Sequence, residues 1–231
     1  MIVAMQESRM ETLPDRYGVI GHPISHSRSP LIHSEFARAT RQHLVYERFD
    51  IAPNELVTRV QALFREGVRG LNVTVPHKEA IVTLTQDLTE RAKLAGAVNT
   101  LIALPDGRLR GDNTDGAGLV ADLRYLDIDV TGRSVLILGA GGATRGIAGP
   151  LLAQHPSKLV IANRNLARAE DLIESFRNTA ISESVSLSAC RMEELREPFD
   201  IVIHATSLGL QNATPTVDPV IIGRHTDAYD L

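Results

Sequence analysis

The stretch Ser134-Val-Leu-Ile-Leu-Gly-Ala-Gly-Gly-Ala-Thr-Arg-Gly146 decides how this chain is read. Its first five residues form a short apolar run of the kind buried in a parallel sheet. Ile147-Ala-Gly-Pro-Leu-Leu-Ala153 follows and reads as a helix. A strand, a glycine-rich turn and a helix start together make a phosphate site. Gly139 permits the tight turn, Gly141 lets the backbone approach a pyrophosphate, and the first helical N–H groups face the anion. Thr144 stands where the strict G-x-G-x-x-G pattern has its third glycine. In this context Gly139-Ala140-Gly141-Gly142-Ala143 predicts a dinucleotide site, the alternative being a purely structural turn.

The next apolar run, Lys158-Leu-Val-Ile-Ala162, ends where an adenosine ribose would lie. An NAD site usually carries Asp or Glu there, accepting from the ribose 2′-OH. This chain instead has Asn163-Arg164-Asn165, with Arg168 one helical turn further. Arg164 and Arg168 can share a 2′-phosphate, and no carboxylate follows the strand to repel it. The pattern favours NADP. Its alternative is a solvated helix start capped by Asn163 or Asn165.

Around this core, strand and helix patterns alternate. The first half reads as strands at 17–20, 45–51 and 68–75, helices at 30–40 and 54–66, a helix opening at Pro76, and another at 87–94. Residues 98–103 and 108–111 suggest a hairpin around Pro105-Asp-Gly107, a strong turn signal. A helix at 115–126 leads into the second half. There, strands at 134–138, 158–162, 185–189, 200–205 and 227–231 alternate with helices at 144–154 and 166–176. Such repeats predict an α/β fold, mostly parallel, with helices on both sheet faces. Two domains are expected, 1–112 and 113–231, the second Rossmann-like, with a cleft between. Pro150 should kink its helix or cost roughly 3 kcal/mol.

Composition bounds the function. The 231 residues are 43% hydrophobic, enough for a substantial core, and the net charge is −4 without a Lys/Arg run. Nothing favours nucleic acid or an anionic membrane. Trp is absent and aromatics are few, against a base-stacking surface. No apolar run approaches a membrane span. A single Cys190 fits a reducing, cytoplasmic compartment. Residues 1–14 lack a signal-peptide core and are expected to be poorly ordered.

Four polar segments fall at strand ends in the first half: Ser27-Arg-Ser29, Asn72-Val-Thr-Val-Pro-His-Lys78, Asn99-Thr100 and Asp112-Asn-Thr-Asp115. Ligands of open α/β sheets bind at the carboxyl ends of strands. Hydroxyls, amides, a Lys and an Asp suit a small polyhydroxylated ligand. They include no metal-ligand cluster and no nucleophile–His pair. With Pro76 opening a helix, Lys78 sits in the first turn, where the dipole should lower its pKa; Asp115 is the expected carboxylate partner. Together they could relay a proton at a carbinol carbon that loses hydride. Singly, each residue has a plainer reading: Ser29 as an N-cap, Asn72 and Thr74 as polar strand positions, Lys78 as a solvated lysine, Asn99 and Asp115 as turn formers.

From Tyr17 to Leu231 the chain resembles the shikimate dehydrogenase family. Gly21-His-Pro-Ile-Ser-His-Ser-Arg-Ser-Pro30 is similar to its N-terminal signature, implying that Ser27 and Ser29 bind the shikimate carboxylate. Asn72–Lys78 is similar to the second signature, implying Thr74 as a substrate contact and Lys78 as the catalytic lysine. Gly96-Ala-Val-Asn-Thr100 implies Asn99 on the substrate hydroxyls, and Asn113-Thr-Asp-Gly116 implies Asp115 beside Lys78. Gly139–Ala143, Asn163, Arg164 and Arg168 resemble the family's NADP site. Ala205-Thr206-Ser207 resembles the loop near the nicotinamide, with His204 where Asn is common, and Leu231 joins the implied cofactor residues. The resemblance implies reversible reduction of 3-dehydroshikimate with NADPH in aromatic amino-acid (chorismate) biosynthesis, by a monomer or homodimer. A quinate/shikimate dehydrogenase and a non-catalytic NADP- or shikimate-binding protein are the alternatives. It also implies a segment beyond Leu231, with a substrate-contacting Tyr and a Gln-bearing helix, so the chain is expected to be part of a longer protein.

Overall fold

The computed structural model describes residues 13–206 and 216–231. Expectations about residues 1–12 and Ser207 lie outside the described residues. The chain builds two sheets. The first contains β1 (Asp15–Gly21), β2 (Leu44–Asp50), β3 (Val68–Val73), β4 (Asp87–Leu88), β5 (Thr100–Ala103) and β6 (Leu109–Asp112), in the order β2-β1-β3-β5-β6-β4. β1 runs parallel to β2 and β3, while β5 runs antiparallel to β3 and β6. The 105–107 turn closes the expected hairpin. Helices α1 (Ser29–Thr40), α2 (Leu56–Arg65) and α3 (Glu90–Ala95) belong to this half.

The second sheet is fully parallel, ordered β11-β10-β7-β8-β9: β7 (Ser134–Leu138), β8 (Lys158–Ala162), β9 (Ser186–Cys190), β10 (Phe199–His204) and β11 (Ile222–Asp230). Its helices are α4 (Asp115–Tyr125), α5 (Gly142–Leu152) and α6 (Leu166–Ser182). Side chains alternate across a strand. Val135, Ile137, Leu159, Ile161, Ile201 and Ile203 therefore share one buried cluster with Leu119 and Leu123 of α4, Ile147 and Leu151 of α5, and Leu172 and Phe176 of α6. Leu136, Leu138, Val160, Ala162 and Val202 form another with Met192, Leu195, Phe199 and Ile221. That second cluster lies on the opposite face of the sheet. Among the described residues it is covered by 3₁₀ turns at Met192–Glu194 and Pro219–Ile221 and their neighbours, not by α-helices.

Two local expectations are corrected. No helix opens at Pro76. The backbone groups there are committed elsewhere: His77 N–H closes a turn onto the Thr74 carbonyl at 2.9 Å, and the Lys78 carbonyl accepts from Val98 N–H at 2.8 Å. A 3₁₀ helix starts only at Ala80, so Lys78 has no helical first turn and the dipole argument for its pKa falls. Residues 87–94 likewise split into β4 and α3, with Thr89 as N-cap accepting from Ala92 N–H.

Pro150 does sit inside α5. The carbonyl four residues before it belongs to Gly146, which a proline cannot serve with an N–H. That carbonyl lies against Gly116 of α4. A Cβ built on Gly116 would stand 2.5 Å from the Gly146 oxygen and closer still to the Pro150 ring. Glycine at 116 is thus a packing requirement. Gly116→Ala is expected to lower unfolding stability by about 1–3 kcal/mol through overpacking, read from the denaturant midpoint. An unchanged midpoint would show that α4 and α5 separate freely.

Candidate active site

The gathering of these polar residues at one edge follows from strand direction. Ser27 lies in the segment after β1, Thr74 and Lys78 after β3, and Asp115 after β6. Asn99 precedes β5, but β5 is antiparallel and pairs Thr100 with Asn72, so its start lies at the same edge. The hairpin thereby delivers two polar segments to one place.

Lys78 Nζ donates to Asp115 Oδ2 at 2.6 Å, with both side chains largely buried. The other carboxylate oxygen, Oδ1, accepts from Asn99 Nδ2 at 2.7 Å. Asn99 is itself locked. Its second amide hydrogen goes to Thr114 Oγ1 at 2.8 Å, and its Oδ1 accepts from Thr100 Oγ1 at 2.8 Å and Thr114 N–H at 3.0 Å. Behind Thr100, the Asn72 amide donates to its hydroxyl at 3.4 Å, and Tyr46 O–H donates to Asn72 Oδ1 at 2.6 Å. The Tyr46 ring stacks on His33 at 4.0 Å, and burial pushes its phenol pKa up. A groove of about 700 Å³, lined in part by His33, Tyr46, Asn72 and Thr100, borders this chain of bonds. Tyr46 and the Thr100 bridge escape sequence reading because a strand sequence does not say which neighbour it will pair with.

Ser27 and Ser29 place their hydroxyls 3.2 Å apart. Arg28 occupies the N-cap of α1 and Ser29 is its first residue, so capping is not what engages the Ser29 hydroxyl. Thr74 is half-buried, and its methyl lies 2.7 Å from where a Cβ of Gly21 would stand. His77, given no role by the sequence, is buried, and its Nε2 meets the Ile51 carbonyl at 2.7 Å, pinning the turn that presents Lys78.

The second half presses directly onto this site. A Cβ on Gly142 would stand 2.9 Å from Lys78 Cβ, and one on Gly146 would stand 3.0 Å from Asp115 Oδ2. Gly139 has φ +113°, and a Cβ there would meet the Ala205 carbonyl at 2.9 Å, so the turn requires glycine. Thr144, in place of the third glycine, is buried and donates to the Gly139 carbonyl at 2.9 Å. Gly141 is the N-cap of α5 with no side-chain cap, and nothing lies within 4 Å of its absent Cβ. Open space beside uncapped helical N–H groups fits a pyrophosphate. Arg164 and Arg168 are exposed beyond β8, and Asn165 is the N-cap of α6 without a side-chain cap bond. These residues fit an NADP-type nucleotide. At the far end His204 contacts Asp230 Oδ1 and Thr206 Oγ1, each at 2.6 Å, and Leu231 N–H donates to the His204 carbonyl.

Known proteins match this chain over most of its length. Residues 19–101 match the family described as shikimate dehydrogenase substrate binding domain, and residues 123–213 match shikimate / quinate 5-dehydrogenase. The chain belongs to the shikimate dehydrogenase family. A shikimate dehydrogenase (NADP(+)) of Aeromonas salmonicida is 47% identical over 94% of this chain and 78% of its own length. The crystal structure of shikimate 5-dehydrogenase from Thermus thermophilus, in complex with NADP(H) and shikimate, superposes with a TM-score of 0.79 at 32% identity, covering 94% of this chain and 78% of that one. An Ael1 enzyme from Pseudomonas putida gives 0.80 at 40% identity over the same shares. The shikimate dehydrogenase fold of two α/β halves is thus shared along almost the whole chain.

Behind the loop that carries Asp115, Asp112 pairs with Arg91 Nη2 and accepts from Thr89 Oγ1 at 2.6 Å and Asn113 N–H at 2.8 Å. The Arg91 guanidinium, more than the hydroxyl and amide, pulls the Asp112 carboxyl down to about 2. A carboxyl whose folded pKa is depressed contributes stability above its unfolded pKa, and loses it as pH falls towards the folded value. Acidification from about pH 4 to pH 2 should therefore remove on the order of 1 kcal/mol through Asp112. Arg91→Met should abolish that segment of the stability–pH curve; an identical curve in the variant would show that Asp112 is not the group responsible.

Proposed function

We propose that this chain interconverts shikimate and 3-dehydroshikimate, with residues 1–112 holding the substrate and residues 113–231 holding NADP. The observation that carries the reading is the 2.6 Å Lys78–Asp115 pair, set against the glycine turn and first helical turn of the second half. NADP, when bound, supplies hydride acceptance or donation. Gly139, Ala140, Gly141, Gly142 and Ala143 would cradle its pyrophosphate. Asn163, Arg164 and Arg168 would take the adenosine end, and Thr206 and Leu231 would lie on the nicotinamide side.

Lys78 takes the proton from the reacting hydroxyl during oxidation and returns it during reduction. Asp115 orients the amine, and Asn99 fixes Asp115 through its other oxygen. Both amide hydrogens of Asn99 are engaged, so contact with a substrate hydroxyl exchanges its Thr114 bond. Ser27 and Ser29 offer adjacent hydroxyls to a carboxylate, and Thr74 offers a third to the ring. Quinate is the second substrate to assay, because the matching family description names both acids.

Lys78→Ala should lower kcat by roughly 10²–10⁴ with little change in KM for shikimate. Steady-state kinetics on protein whose circular dichroism shows it folded at the assay temperature test this, and near-normal turnover would remove Lys78 from the chemistry. Arg164→Ala should raise KM for NADPH about ten- to a hundredfold while NADH kinetics stay nearly constant. Equal losses with both cofactors would show that Arg164 does not read the 2′-phosphate.

A further inference from the structure

Lys78 is followed by Glu79, whose carboxylate leaves the substrate half and reaches the cofactor half. Its Oε2 accepts from Arg145 Nε of α5 at 3.2 Å, and its Oε1 stands 3.8 Å from Arg168 Nη2 of α6. Arg145 is mostly buried, whereas Arg168 is largely exposed. One dipeptide thus carries two functions. The Lys78 amine meets Asp115, its Cβ abuts Gly142, and the next side chain ties the same turn to the two helices that flank the nucleotide site.

We propose that Glu79 is a positioning residue that fixes Lys78 over the cofactor turn while competing with the 2′-phosphate for Arg168. The proposal rests on the NADP reading above. A guanidinium cannot satisfy a carboxylate and a phosphate as fully as either alone. Part of the attraction of Arg168 for the 2′-phosphate is thereby given up to keep the two halves in register. Catalytic geometry is sensitive to such register, since a misplacement of about 1 Å can cost up to a hundredfold in rate.

This combination predicts opposite effects on binding and turnover. Glu79→Gln is nearly isosteric, and its site is half-exposed, so folding should be preserved. By calorimetry, adenosine 2′,5′-bisphosphate should bind the variant about two- to fivefold more tightly than the wild type, the size expected for one exposed charge. Binding of 5′-ADP, which lacks the 2′-phosphate, should be unchanged. In the Arg168→Ala background the tightening should vanish. With saturating shikimate and NADP, kcat of Glu79→Gln should fall about three- to tenfold. Weaker or unchanged bisphosphate binding, tightening that survives Arg168→Ala, or undiminished kcat would each overturn the proposal. If wild-type protein binds the bisphosphate no better than 5′-ADP, the NADP reading itself fails, and that outcome is separate from any effect of Glu79.

Discussion

The Lys78–Asp115 pair is the constraint on which the rest of the structure depends. Two charges taken largely out of water are costly unless each keeps its partner and its remaining hydrogen bonds. The surroundings meet that condition closely. Asp115 spends one oxygen on Lys78 and the other on Asn99, and Asn99 is saturated by Thr100 and Thr114. The chain then closes around the pair: a buried His77 pins one side, and the Asp112–Arg91 bridge stands behind the other. Removing any one group leaves a neighbour with an unmet polar atom in a half-dry place, so the arrangement tolerates few partial versions of itself.

Small residues bring the second half to this pair. Gly142 and Gly146 lie on successive turns of α5, and side chains there would occupy the space of Lys78 and Asp115. The helix that follows the glycine turn is therefore also the wall behind the Lys78–Asp115 pair. Gly116 and Pro150 extend the same close packing along α4 and α5. The unbroken segment from the glycine turn through Pro150 brings together residues that the sequence presents as separate motifs.

Much of this was legible in the sequence. Strand–turn–helix patterning around Gly139, the basic residues after β8 and the hairpin at Pro105-Asp-Gly107 rest on local chemistry, and local chemistry survives folding. The pairing of Lys78 with Asp115 was legible too, because both follow strands of one sheet. What failed was the helix at Pro76. Proline is a good first helical residue, but the His77 ring and the Lys78 carbonyl are claimed by Ile51 and Val98, residues distant in sequence that no local signal discloses. Tyr46 and Glu79 were invisible for want of knowing which elements would become neighbours.

The antiparallel hairpin has a consequence for how this chain can vary. β5 leaves the site at Thr100, turns at residues 105–107 and returns to it at Asp112. Its register is set at its open end, beside the Lys78–Asp115 pair, where Asn72 pairs with Thr100 and Thr100 with Asp112. A residue gained or lost within either strand would turn its alternating side chains to the opposite face and displace Asn99 or Asp115. The tip is under no such restraint, since it lies at the far edge of the sheet. Length differences between natural versions of this fold should therefore gather at the tip and be nearly absent from the two short strands that lead to it.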